Sequence, residues 1–183
     1  MIRFLALSFF IFSSVVNAGD YYTNQVDTYD PATGLYYKAV LNREDRGFMS
    51  KGSSDAVVNI AISNPATKSV ALLFKEPLQG SITSVVFETG YKDGGIEFYG
   101  ANSPYVKNNL GIPNRSPRNR LLVAVRDVKK EETALFVSEK DGNNLKKLIV
   151  FPERDNWHID VRNSKLRVVH QLGNTIEIES IEW

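Results

Sequence analysis

Cysteine is absent from this chain. Its absence excludes disulfides, thiol catalysis, thiolate metal sites and an acylated cysteine anchor. Small secreted animal domains usually lean on disulfides, so if the chain is exported its lack of cysteine points to a bacterial source. Histidine is nearly absent, and only His158 and His170 can serve as bases near neutrality. Net charge is small as well, with 22 Lys+Arg against 21 Asp+Glu, so no long-range field steers the chain toward nucleic acid or anionic lipid. The sequence has no His-Glu-x-x-His pair, no Gly-x-Ser-x-Gly elbow, no Gly-x-Gly-x-x-Gly and no Walker loop. No metal or other cofactor is expected. Two lone histidines without cysteine leave only oxygen ligands, and Asp141-Gly-Asn-Asn144 lacks the spaced acids of a calcium loop.

Long apolar runs are scarce too, and the one that stands out comes first. Arg3 is the only charge in residues 1–18; Phe4–Phe12 is almost wholly apolar, and a small-residue stretch closes on Val16-Asn17-Ala18. That order of charge, apolar run and small residues is the pattern of a secretory signal peptide. The run is about half the ~20 residues needed to cross a bilayer, so cleavage after Ala18 is expected rather than anchoring. The expected product is one domain, 19–183, periplasmic or secreted, with no stable membrane insertion. Removing Arg3 leaves 21 Lys+Arg against 21 Asp+Glu.

What remains is rich in strand-forming residues separated by turn formers. Runs such as Tyr36–Leu41, Ala56–Ile62, Ile82–Glu88, Leu121–Val125 and Leu166–Gln171 hold Val, Ile, Leu, Phe and Tyr. Asp30-Pro-Ala-Thr-Gly34, Asn64-Pro-Ala-Thr67, Asp93-Gly-Gly95, Asp141-Gly-Asn-Asn144 and Gly173-Asn174 lie between such runs. No window holds a helical period. The fold class expected is all-β: a β-propeller-like or β-sandwich arrangement of about 11–12 short antiparallel strands with little or no helix. Leu121–Val125 and Leu148–Phe151 are continuous apolar runs, which predicts strands covered on both faces. Residues 92–120 read as an extended surface connection. Tyr29–Val40 lines up with Ser63–Phe74, each a strand end, a proline turn and a returning strand, and this suggests an internal repeat.

Leu135-Phe-Val-Ser-Glu-Lys-Asp-Gly-Asn-Asn-Leu-Lys-Lys-Leu148 resembles the blade hairpin of TolB-type (WD40-like) β-propellers, a strand, an Asp-Gly turn and a basic-leucine strand. Trp157-His-Ile-Asp160, leading to Lys165-Leu-Arg-Val168, resembles the Trp-Ser-Pro-Asp-Gly turn and strand that follow there. It departs in having His158-Ile159 for Ser-Pro and no glycine after Asp160. The likeness spans residues 135–169 and implies β blades and a partner-binding surface. It carries over no catalytic residue, and the chain is short for a closed ring of at least four blades.

Three functional readings remain open from the residues alone. The first is a non-enzymatic protein-binding module in the cell envelope, of the kind a periplasmic immunity or inhibitor protein provides. Its candidate surface is the basic loop Arg115, Arg118 and Arg120, with Lys107, Tyr99 and Tyr105 nearby. The second is a glycan- or anion-binding module using the same Arg115–Arg120 loop. The third is a cell-envelope hydrolase in which Asp155 or Asp160 orients His158 as a general base. The tyrosines Tyr21, Tyr22, Tyr29, Tyr36 and Tyr37 form a second candidate contact surface.

Overall fold

The computed structural model describes residues 27–42, 56–99 and 105–183. The expected signal peptide, Tyr21 and Tyr22 lie outside them. The described residues hold thirteen strands and no helix. The first sheet has the order β1 (Asp27–Tyr29), β2 (Tyr36–Asn42), β3 (Ala56–Asn64), β4 (Ser69–Leu72). The central sheet runs β10 (Lys146–Pro152), β9 (Glu132–Ser138), β8 (Leu121–Asp127), β5 (Ser81–Lys92), β6 (Gly95–Tyr99). The third runs β13 (Thr175–Glu182), β12 (Lys165–Leu172), β11 (Asn156–Asp160), β7 (Val106–Lys107). All pairings are antiparallel except the short parallel contact of β7 with β11.

The layering follows from side-chain alternation on the central strands. In β8 every residue of Leu121–Val125 is buried. Leu121, Val123 and Val125 pack with Tyr37, Ile60, Ile62 and Phe74 of the first sheet's layer. Leu122 and Ala124 point the other way and pack with Trp157, Ile159, Leu166 and Val168 of the third. A period-2 strand with no polar position must be covered twice, and the protein covers it with two further sheets. The result is a three-layer β stack with two cores, a sandwich extended by one sheet, and the sheets keep open edges instead of closing into a propeller ring.

The other apolar run behaves differently. β10 is the outer strand of the central sheet, and within 148–151 only Phe151 is buried, while Val150 is 43% exposed. An edge strand has one neighbour and a thinner cover, so the expectation of double coverage fails there. β1 and β7, of three and two residues, are too short to register as apolar periods. The two matched segments are indeed hairpins, β1–β2 and β3–β4, but they lie side by side in one sheet. Ile176, Ile178 and Ile181 change phase without ending the strand. β13 stays in register with β12 throughout, so Ile181 turns into the second core and the other two stay outside.

Candidate functional site

The basic loop is not a free cationic surface. Arg115 makes a paired contact with the buried carboxylate of Glu88, Nη1 to Oε2 at 2.5 Å and Nη2 to Oε1 at 2.7 Å. The Arg118 backbone N–H donates to the same carboxylate at 2.8 Å. Burial by itself would raise the Glu88 pKa, but these donors and the two guanidinium charges outweigh it and hold the carboxyl below its usual range. The Arg118 guanidinium donates to the backbone oxygen of Trp183 at 2.6 Å and to Ser164 Oγ at 2.8 Å, tying the central sheet to the third. Of the three arginines, Arg120 is the exposed one.

Sequence reasoning missed the group that continues this network. Lys140, in the β9–β10 turn, is 1% exposed, and its Nζ donates to Asp30 Oδ2 at 2.8 Å and to the Glu88 carbonyl at 2.5 Å. Asp30 sits in the β1–β2 turn and also accepts from Ala32 N and Thr33 Oγ1. The Tyr37 hydroxyl donates to the Lys140 carbonyl at 3.0 Å, and burial first, then the Asp30 charge, pushes that phenol above its ordinary pKa. Asp30, Lys140, Glu88, Arg115 and Arg118 thus link all three layers. A buried lysine or aspartate has no local sequence signature, because its partner lies far along the chain.

The remaining members of the expected patch scatter. Tyr99 stacks on Phe87 at 5.0 Å between centroids, and burial raises its pKa. Tyr105 stacks on Trp157 at 4.1 Å. Lys107 lies on β7, at the edge of the third sheet opposite β13. Arg118 and Arg120 are the two members that share one feature.

That feature is a groove of about 680 Å³ between the β9–β10 side of the central sheet and the end of β13. Val137, Leu148, Ile181 and Trp183 give it an apolar lining, and Arg118, Arg120, Lys146, Glu139 and Glu182 add charges of both signs. Glu182 also pairs with Lys165 at the surface. The volume falls within the ordinary range for ligand sites, and an apolar lining with few charges of both signs suits a peptide better than a polyanion.

The expected hydrolytic pairing is not formed as read. Asp155 accepts from the Gln171 amide and lies 2.8 Å from Nδ1 of His170, not of His158. Burial works against its charge, but the His170 contact outweighs burial and lowers its pKa. Nε2 of His170 faces Glu179 at 3.6 Å, so a carboxylate stands where a hydrolase would place a nucleophilic hydroxyl. His158 is half-buried, and burial lowers its pKa. Asp160 does share the strand with it, but is held by Asn108, Asn163 and Arg167, which outweigh burial and keep it well below the carboxylate range. Trp157 packs in the second core. Among the described residues no His, Asp and Glu cluster is arranged to hold a metal.

Against protein-family models, curated proteins and solved structures, the chain finds no match.

Proposed function

We propose that this chain is a non-enzymatic protein-binding module of the cell envelope that seats a segment of another protein in the groove beside β13. The observation that carries this is the groove itself. Its apolar lining of Val137, Leu148, Ile181 and Trp183 is accompanied by charges of both signs, Arg118, Arg120 and Lys146 with Glu139 and Glu182. Such a site orients an amphipathic segment and excludes segments of the wrong charge pattern. Within it Arg118 and Trp183 are held in place by the Arg118 contacts to Glu88, Ser164 and the Trp183 oxygen, which lowers the ordering cost at that end. Blocking a delivered toxin or a host enzyme, as an immunity or inhibitor protein does, is the role this arrangement suits.

Arg120→Glu with Lys146→Glu reverses two exposed charges of the rim and leaves the Glu88 and Asp30 network intact. The expected outcome is a partner captured by the native chain and lost by at least about tenfold in affinity with the double variant, the melting temperature being retained. Unchanged capture would reject the groove. A glycan or anion reading has one observation in its favour, the presence of Arg118, Arg120 and Lys146 among the residues lining the groove. Competition by a soluble sulfated glycan, with no protein recovered, would replace the protein-binding reading by that one.

A further inference from the structure

We propose that β13 is a strand acceptor, whose open edge takes an extended segment of a partner protein in which basic and apolar side chains alternate. The inference rests on the protein-binding reading and gives its partner a chemistry.

β13 ends its sheet and pairs only with β12, in unbroken register from Lys165↔Glu182 to Leu172↔Thr175. Its other side presents a row of backbone donors and acceptors with no strand beside it among the described residues. Folded proteins usually block such edges, and the other edges here are short or blocked. β1, β4 and β7 have three, four and two residues. β10 carries Lys146, Lys147, a bulge before Ile149, and Pro152. β6 is covered by the strap that follows it, through Ile96 N to Asn109 O at 3.0 Å. β13 has eight residues with no proline, lysine or bulge.

Its side chains describe the occupant. Ile176 and Ile178 lie on the outer face, 66% and 49% exposed. Glu177 and Glu179 lie on the inner face, opposite His170 and Val168. The groups facing these glutamates are His170, whose Nε2 is 3.6 Å from Glu179, and Asp155 behind it, so the edge remains acidic. A strand that sets a lysine or arginine against each glutamate, and an aliphatic side chain beside each isoleucine, gains cross-strand pairs on both faces. A second copy does not in the registers that overlap most: face-matched antiparallel pairing of two β13 strands there sets Glu177 against Glu179, or one glutamate against its own copy. Ile181 and Glu182, at the far end of the same strand, line the groove. A segment leaving the groove therefore runs directly onto this edge.

The test is amide hydrogen exchange over 175–182 in the whole chain, alone and with synthetic ten-residue peptides. Alternating Lys-Val is expected to slow the β13 amides not bonded to β12 by about tenfold or more. A block peptide of five lysines and five valines, and an alternating Glu-Val peptide, are expected to leave them unchanged. Glu177→Lys with Glu179→Lys should transfer the protection from the Lys-Val to the Glu-Val peptide, and both substitutions are on exposed positions. Protection of these amides in the free protein, equal protection by the block peptide, absence of protection by any peptide, or a concentration-dependent dimer that covers them would each overturn the proposal. The Arg120 and Lys146 reversal keeps the two ideas separate. Lost capture with β13 unprotected rejects strand addition alone, and β13 protection with capture unaffected by the reversal rejects the groove alone.

Discussion

Lys140 is the buried cation at which the interlayer network joins the first and central sheets. Its ammonium is enclosed by Asp30, the Glu88 carbonyl and the Phe87 ring. Removing one charge of a buried pair strands the other. Lys140→Met is expected to cost about 3–5 kcal/mol, and Lys140→Met with Asp30→Asn clearly less, since the pair is then removed together. Urea denaturation of both variants checks this. The titratable groups set a pH dependence of definite sign. Glu88, Asp155 and Asp160 all have folded pKa values below their ordinary ones. Their contribution is present above the usual carboxylate range, about pH 4, and is lost as pH falls toward the depressed values. His170 is shifted upward, chiefly by its bond to Asp155, so its contribution is present below about pH 6.5 and fades as pH rises through the higher folded value. Melting temperature should therefore fall below pH 4. Glu88→Gln should lower the plateau and flatten that fall, and an unchanged acid limb would contradict the assignment.

At the scale of elements, the strap of residues 105–120 before β8 shows how an irregular segment is held. Gly94 O accepts from both Gly111 N and Ile112 N, and Asn109 bonds Ile96 through its backbone and its side chain. The approach depends on Gly95, where a Cβ would lie 2.5 Å from Asn109 O and 2.8 Å from a Leu110 methyl. Gly95→Ala is expected to destabilise by about 1–3 kcal/mol and to raise the exchange rate of the Ile96 amide first. A neutral substitution would mean the strap is loosely held. Sequence alone read 92–120 as an extended surface connection, because its prolines, asparagines and arginines form no period. What it could not show is that Arg115 and Arg118 point inward, since their acceptors are Glu88 on β5 and Trp183 at the far end of the chain. The long strands were legible for the opposite reason: β8 and β12 are Leu- and Val-rich runs bounded by turn-forming residues. β1 and β7 were not, being recruited by neighbours rather than by their own residues.

At the scale of the whole molecule, two cores share one central sheet, and a polar network crosses all three layers beside a groove. The all-β class was legible from turn chemistry and apolar runs. Double cover of β8 was expected from Leu121–Val125, but the third layer that provides it was not, the sequence reading being a propeller-like or sandwich arrangement. The groove was not, because its walls come from the β9–β10 hairpin and the end of β13, distant in sequence. The most direct test of a protein-binding groove is site-specific photo-cross-linking in cells that make the protein. A benzophenone side chain would be placed at exposed Asn144 on the groove and, as a control, at exposed Val70 on β4. The arrangement predicts one discrete protein adduct from position 144 and none from position 70. Adducts of equal yield from both positions, or no protein adduct at 144, would contradict it.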